Sequence, residues 1–261
     1  MKEQTAYEEM QVRKIEEWKG EEIGGFSRKL GALFRPVGNL IDAVIPQSAL
    51  EHALDGVGSA GNFLTDEKDI LKGADVSGIH ELRTKDLAVS DHLANEVHNM
   101  AILMAAGAGG LITPIVADIS ALLVLSMRTI HKIGLCYGYE TNTAQEQLYA
   151  LQILSIVAAN ATEEKRAAID ELTLLKVALR SPQNALIEKD AQDRRPLLIH
   201  QLCRQLGTNL AKRKAAQLIP GVGTVVAIAV NGSFIRDLGY AAIRSYQERW
   251  LTDNDKWSDV G

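Results

Sequence analysis

The chain has 261 residues, of which 46% are hydrophobic and 23% charged, and its net charge is −5. This balance excludes global disorder and carries no general nucleic-acid signature, while the length suits one large domain with a core of its own. Aromatic residues are sparse at 5% and glycines number 21, so close approach of helix backbones is expected to build more of the core than large anchors do.

Residues 1–20 mix five Glu with four Lys and Arg and have no apolar run of the kind a secretory signal needs. The positions of Tyr7, Met10, Ile15 and Trp18 predict a charged helix over 5–19. Its balanced charge suits docking onto the body better than lying on a membrane. Gly24-Gly25 should break it, and short amphipathic helices interrupted at Pro36 and Pro46 should follow. A polar, glycine-containing connection spans 65–78.

From about Lys85, the spacing of Leu87, Leu93, Val97 and Met100 predicts a helix that runs on into an apolar stretch. Thr143 is placed to cap a helix over 144–159, closed by Asn160. Thr162 is expected to cap the next, with Glu163 and Glu164 set against its positive N-terminal dipole. That helix carries Ile169, Leu172, Leu175 and Leu179 and stops before Pro182. No segment alternates with period two, so no sheet is expected.

Two stretches stand apart. Residues 100–117 (MAILMAAGAGGLITPIVA) and 215–235 (AAQLIPGVGTVVAIAVNGSFI) carry no charge. Each has a Gly/Pro break followed by an apolar helix that ends in a cation. Ile112-Thr113-Pro114 parallels Leu218-Ile219-Pro220, and residues 129–134 (TIHKIG) parallel 234–239 (FIRDLG). Two copies of a helix–break–helix unit would pack about a pseudo-twofold axis.

At these same residues the sequence resembles the EcsC family. The matching features are Gly109-Gly110, Asp118 and Ser126-Met127-Arg128-Thr129-Ile130 in the first hairpin. In the second they are Lys214-Ala215-Ala216, Ile219-Pro220-Gly221-Val222-Gly223, Asn231, Phe234 and Ile235, with residues 245–251 (SYQERWL) as the closing helix. The resemblance covers roughly 101–251, and 1–100 match poorly. It implies the family's helical fold and a membrane-proximal role, the family's namesake being associated with a transporter gene cluster linked to secretion. It implies no catalytic residue.

Each hairpin is about as long as the ~20 apolar residues needed to cross a bilayer. Their Gly, Pro, Thr, Gln and Asn favour buried core helices over conditional or permanent insertion. Asp118, Arg128, Asn231 and Arg236 then form a candidate buried polar network or ligand anchor. Asp118 and Arg128 lie roughly 15 Å apart along a helix and roughly 80° apart around it, so each must find its partner on another helix. Between 191 and 214, six cations (Arg194, Arg195, Arg204, Lys212, Arg213 and Lys214) stand against one anion, Asp193. Placed just before the second hairpin, they are candidate contacts for anionic lipid headgroups, although a solvated helix face has the same composition.

Other motifs point to little chemistry. Residues 56–61 (GVGSAG) satisfy G-x-G-x-x-G but follow a helical stretch rather than a strand, so no dinucleotide cofactor is expected. His92 and Glu96 share a helix face, with Asp91 and His98 nearby, and they read as an exposed polar pair more readily than as a metal site. His131, beside Arg128 and Lys132, is expected to mark the wet end of the first hairpin. Cys136 and Cys203 read as buried, reduced thiols.

The expected architecture is all-α, a multi-helix bundle around two glycine/proline-interrupted apolar hairpins. A docking helix (1–24), a single body (25–251) and a polar tail (252–261) make up the chain. The expected role is non-enzymatic: a cytoplasmic protein at the inner face of the membrane, binding anionic lipid or a membrane protein such as a transporter or secretion component. A helical pocket for a small hydrophobic ligand is the alternative, and an unrecognised hydrolase a weaker one.

Overall fold

A computed structural model describes residues 2–22, 86–108, 115–140, 143–180, 193–194, 197–202, 205–206 and 223–257. The segments around Gly24-Gly25, Pro36, Pro46 and residues 56–61 lie outside them, as do the breaks at 109–114 and 215–222. The protein is an all-α bundle, with no strand among the described residues. Among the described residues, six helices carry the architecture: α1 (Ala6–Gly20), α2 (Leu87–Ala108), α3 (Ile115–Cys136), α4 (Ala144–Ala158), α5 (Thr162–Leu179) and α6 (Gly223–Asp253).

The longest, α6, has 31 residues and so extends for about 46 Å. It packs against α1, α2, α3 and α4, while α2 pairs with α3 and α4 with α5. The α4 and α6 helices run antiparallel, since Glu146 meets Arg249 and Tyr149 meets Ser245 farther back. The α6 helix passes the expected boundary of the tail, and Trp257 beyond it packs on the core.

Local signals explain the helix ends. Thr5 and Glu8 form a capping box, in which the Thr5 N–H donates to Glu8 Oε2 at 2.8 Å and the Glu8 N–H to Thr5 Oγ1 at 3.2 Å. Thr143 caps α4 by accepting from the Glu146 N–H at 3.2 Å. The cap expected at Thr162 is corrected by one residue. Thr162 is the first helical residue, Ala161 holds the cap position, and Glu164 Oε2 reaches back to the Asn160 N–H at 2.8 Å. No side chain at the cap position serves the first-turn N–H groups of α5.

The end of α3 decides the centre of the molecule. Gly138 has φ 81°, its N–H donates to the Leu135 carbonyl, and the Tyr139 N–H donates back to Gly134. This is a Schellman closure, which needs a left-handed residue and so a glycine. The tight turn aims Tyr137 and Tyr139 into the bundle, both fully or nearly fully buried.

The core therefore departs from its expected small-residue character at one place. Tyr137, Tyr139, Tyr149, Tyr246 and Phe234 are among its largest fully buried side chains. Glycines make room for such rings: a Cβ on Gly134 would stand 2.8 Å from the Tyr246 ring, and one on Gly239 would stand 2.1 Å from the His98 ring.

Candidate functional site

Three features of the described surface and interior carry polar or unpartnered chemistry. The first is the buried centre between α2, α3, α4 and α6. Arg249 makes a two-pronged pair with Glu146, at 2.7 Å and 2.6 Å. Its guanidinium lies 4.0 Å from the Tyr139 ring centroid and 4.8 Å from that of Tyr149. Burial works against the charge on Arg249, but the Glu146 carboxylate outweighs it and the pKa is raised. On α2, Asp91 Oδ1 accepts from the Tyr137 hydroxyl at 2.5 Å and Oδ2 from the Tyr7 hydroxyl at 2.7 Å.

The surface pair expected of His92 and Glu96 is present, while the nearby Asp91 and His98 do not share its face. His92 and Glu96 do form an exposed pair at 3.4 Å, whereas Asp91 and His98 are buried. One step in sequence turns a side chain by about 100° on a helix, enough to take Asp91 from the outer face to the inner. His98 lies edge-on to Tyr240, and its Nε2 is buried without a hydrogen-bond partner. Among the described residues no group of three or more His, Cys, Asp or Glu could hold a metal.

His131 is also corrected. It is fully buried, neither ring nitrogen has a partner, and burial pushes its pKa down to about 4. It marks the dry interior of α3 rather than a wet end, because residue 131 falls on the same inward stripe as Met127 and Gly134. Cys136 is buried and free as expected, and burial pushes its thiol up to about 12.

The second feature is a groove of about 590 Å³ between α1, the start of α5 and the α4–α6 pair. One wall offers Lys14, Glu17, Trp18 and Glu21, the other Ile156, Val157, Tyr240 and Ala241. Lys165 and Arg244 reach into it with their charges already engaged: Lys165 donates to the Trp18 and Glu21 carbonyls, and Arg244 to Gln11 and Gln247.

The third feature is on α2. Met100, Leu103 and Met104 are 59%, 66% and 55% exposed, and their i, i+3, i+4 spacing lines them up on one face. Ala101 and Ala105 on the opposite face are buried.

The residues singled out from sequence are spread among these features and beyond them. Arg194 is exposed. Arg195, Arg204, Lys212, Arg213, Lys214 and Cys203 lie outside the described residues. Asp118 sits on α3 and Asn231 on α6, with side chains outside the described set. Arg128 is partly buried on α3. Arg236 is exposed, so its side chain is no member of a buried network. Residue 236 faces outward because its neighbour Ile235 takes the inward position. Sequence reasoning did not single out Glu146 and Arg249, whose pairing joins positions 103 residues apart. Nor did it single out the α2 stripe, since an all-apolar run hides which face is covered.

No solved structure matches the chain. The uncharacterized protein YdbA of Bacillus subtilis (strain 168) is 27% identical over 267 residues, a span of 94% of this chain and 93% of that relative. The EcsC protein family matches residues 9–251, well beyond the part whose motifs had suggested it, and it takes in the docked α1 and the start of α2. The chain belongs to the EcsC protein family.

Proposed function

We propose that this protein is a non-enzymatic, peripheral membrane-associated protein of the cytoplasmic face, which meets an anionic lipid surface through α2 and the basic sequence 194–214. The observation that carries this reading is the exposed stripe Met100, Leu103 and Met104. Three large apolar side chains on one face favour transfer out of water by about 1.5–3 kcal/mol each when fully buried. Methionine's flexible thioether suits an irregular surface such as an acyl boundary. The stripe opens the charge-free sequence 99–117.

The second half of the reading is electrostatic. Arg194, Arg195, Arg204, Lys212, Arg213 and Lys214 precede the charge-free segment 215–235, and each cation near an anionic surface contributes about 1 kcal/mol. Among the described residues no helix is long and apolar enough to cross a membrane, which favours contact at the interface over spanning. A membrane-protein partner, such as a transporter or secretion component, would use the same two features.

Flotation of the purified protein with neutral and anionic vesicles, at low and high salt, tests this. Co-flotation with anionic vesicles should weaken in salt and in the triple variant Met100→Ser, Leu103→Ser, Met104→Ser. Absence of flotation under every condition, or a triple variant that floats like the parent, would overturn the lipid reading.

A further inference from the structure

The helix α1 is held to the body mainly by polar contacts. Its buried residues are Glu8, Gln11 and Ile15, of which only Ile15 is apolar, and Tyr7, Val12 and Trp18 pack half-buried on the core. The anchors are spread along its length. The Tyr7 hydroxyl donates to Asp91, Gln11 Oε1 accepts from Arg244 at 2.9 Å, and Lys19 Nζ reaches Glu248 Oε1 at 2.6 Å. Lys256 pairs with Glu8 at 2.5 Å, and Lys165 Nζ closes the far end on the Trp18 and Glu21 carbonyls at 3.0 Å and 2.8 Å.

Three of the groups that receive α1 hold a second partner within the body. Asp91 keeps the Tyr137 hydroxyl on its other oxygen, at 2.5 Å. Arg244 keeps Gln247 at 2.7 Å. Glu248 keeps Lys176, whose Nζ contacts the same oxygen as Lys19 at 2.6 Å. Stranding a buried charge is what makes breaking a buried pair so unfavourable, and lifting α1 strands none at these three positions. Lys165 and Lys256 would return their ammonium groups to water on flexible stems.

We propose that α1 is a detachable strap, docked on a body in which Asp91, Arg244 and Glu248 each keep a second partner. Its release removes one whole wall of the groove and uncovers Ile156, Val157 and Ala241 on the other side together with α6 around Arg244 and Glu248. A free helix of fifteen residues is marginal in water, so the released strap unwinds and its amides exchange.

Native-state hydrogen exchange on the full chain tests this at residue resolution. The α1 amides should exchange through an opening that leaves α4 and α6 protected, and added salt should speed that opening. Lys19→Met, which leaves the Lys176–Glu248 pair in place, should raise α1 exchange by about ten-fold, the equivalent of one hydrogen bond to a charged group. If α1 exchanges only together with α6, at a rate that neither salt nor Lys19→Met changes, the strap does not exist. The salt series on the unmodified chain decides the matter even if the variant folds poorly.

Discussion

Tyr246 is enclosed by three other tyrosines, with ring centroids 6.2 Å, 5.7 Å and 5.3 Å away for Tyr137, Tyr139 and Tyr149. Its hydroxyl presses on Gly134 and has no hydrogen-bond partner, while burial raises its pKa. Tyr149, by contrast, donates to the Ser245 carbonyl at 3.0 Å. Two substitutions of identical chemistry should therefore diverge. Tyr246→Phe relieves an unsatisfied hydroxyl and is expected to be neutral or stabilising in urea titration, whereas Tyr149→Phe should lose about 1 kcal/mol. Equal losses would mean that the Tyr246 hydroxyl has a partner after all. Glu146→Gln is a harsher change at the same centre, because it leaves Arg249 buried beside a neutral group. A loss of about 3–5 kcal/mol is expected, and a loss below about 1 kcal/mol would show that the pair is not closed to water.

At the level of the helix, what could be read in advance was what local chemistry determines. The cap at Thr143 follows from a hydroxyl placed three residues before a receptive N–H, and the end of α5 near Pro182 follows from the missing proline donor. The slip at Thr162 is one residue of register, since the helix starts one position earlier and leaves Ala161 at the cap. Long-range facts were not legible. Neither Asp91 facing Tyr7 and Tyr137 nor Arg249 facing Glu146 leaves a periodic trace, since each partner is on another helix. His131 misled for a related reason: flanking cations imply solvent, but only packing shows which side of α3 is dry. The α2 helix shows the same limit and can be tested directly. Leu103→Ser on its open face should change stability by less than about 0.5 kcal/mol. Ala105→Leu, at a position 1% exposed, should overpack the α2–α3–α6 junction and lose about 1–3 kcal/mol in the same denaturant assay. Similar effects from both would place the stripe inside the fold.

For the molecule as a whole, the junction of α2, α3 and α6 makes folding depend on pH through histidine. His131 is fully buried with both nitrogens unpartnered, and its pKa falls from 6.5 to about 4 because burial penalises the cation. His98 is shifted in the same direction, chiefly by burial. A depressed histidine pKa means that the unfolded chain binds the proton more readily than the folded one. The folded state is thus undiminished above pH 6.5 and loses stability as the pH falls from there towards 4, below which His131 adds no further change. A shift of this size corresponds to about 3 kcal/mol for His131 alone. Other groups also titrate in that window, so the informative quantity is a difference. The denaturant midpoint of the parent should fall more steeply between pH 7 and pH 4 than that of His131→Leu, which fills the same interior with no site for a proton. Parallel curves for the two would mean that protonation of His131 is accommodated without opening the junction, and that the imidazole has a route to water in the folded protein.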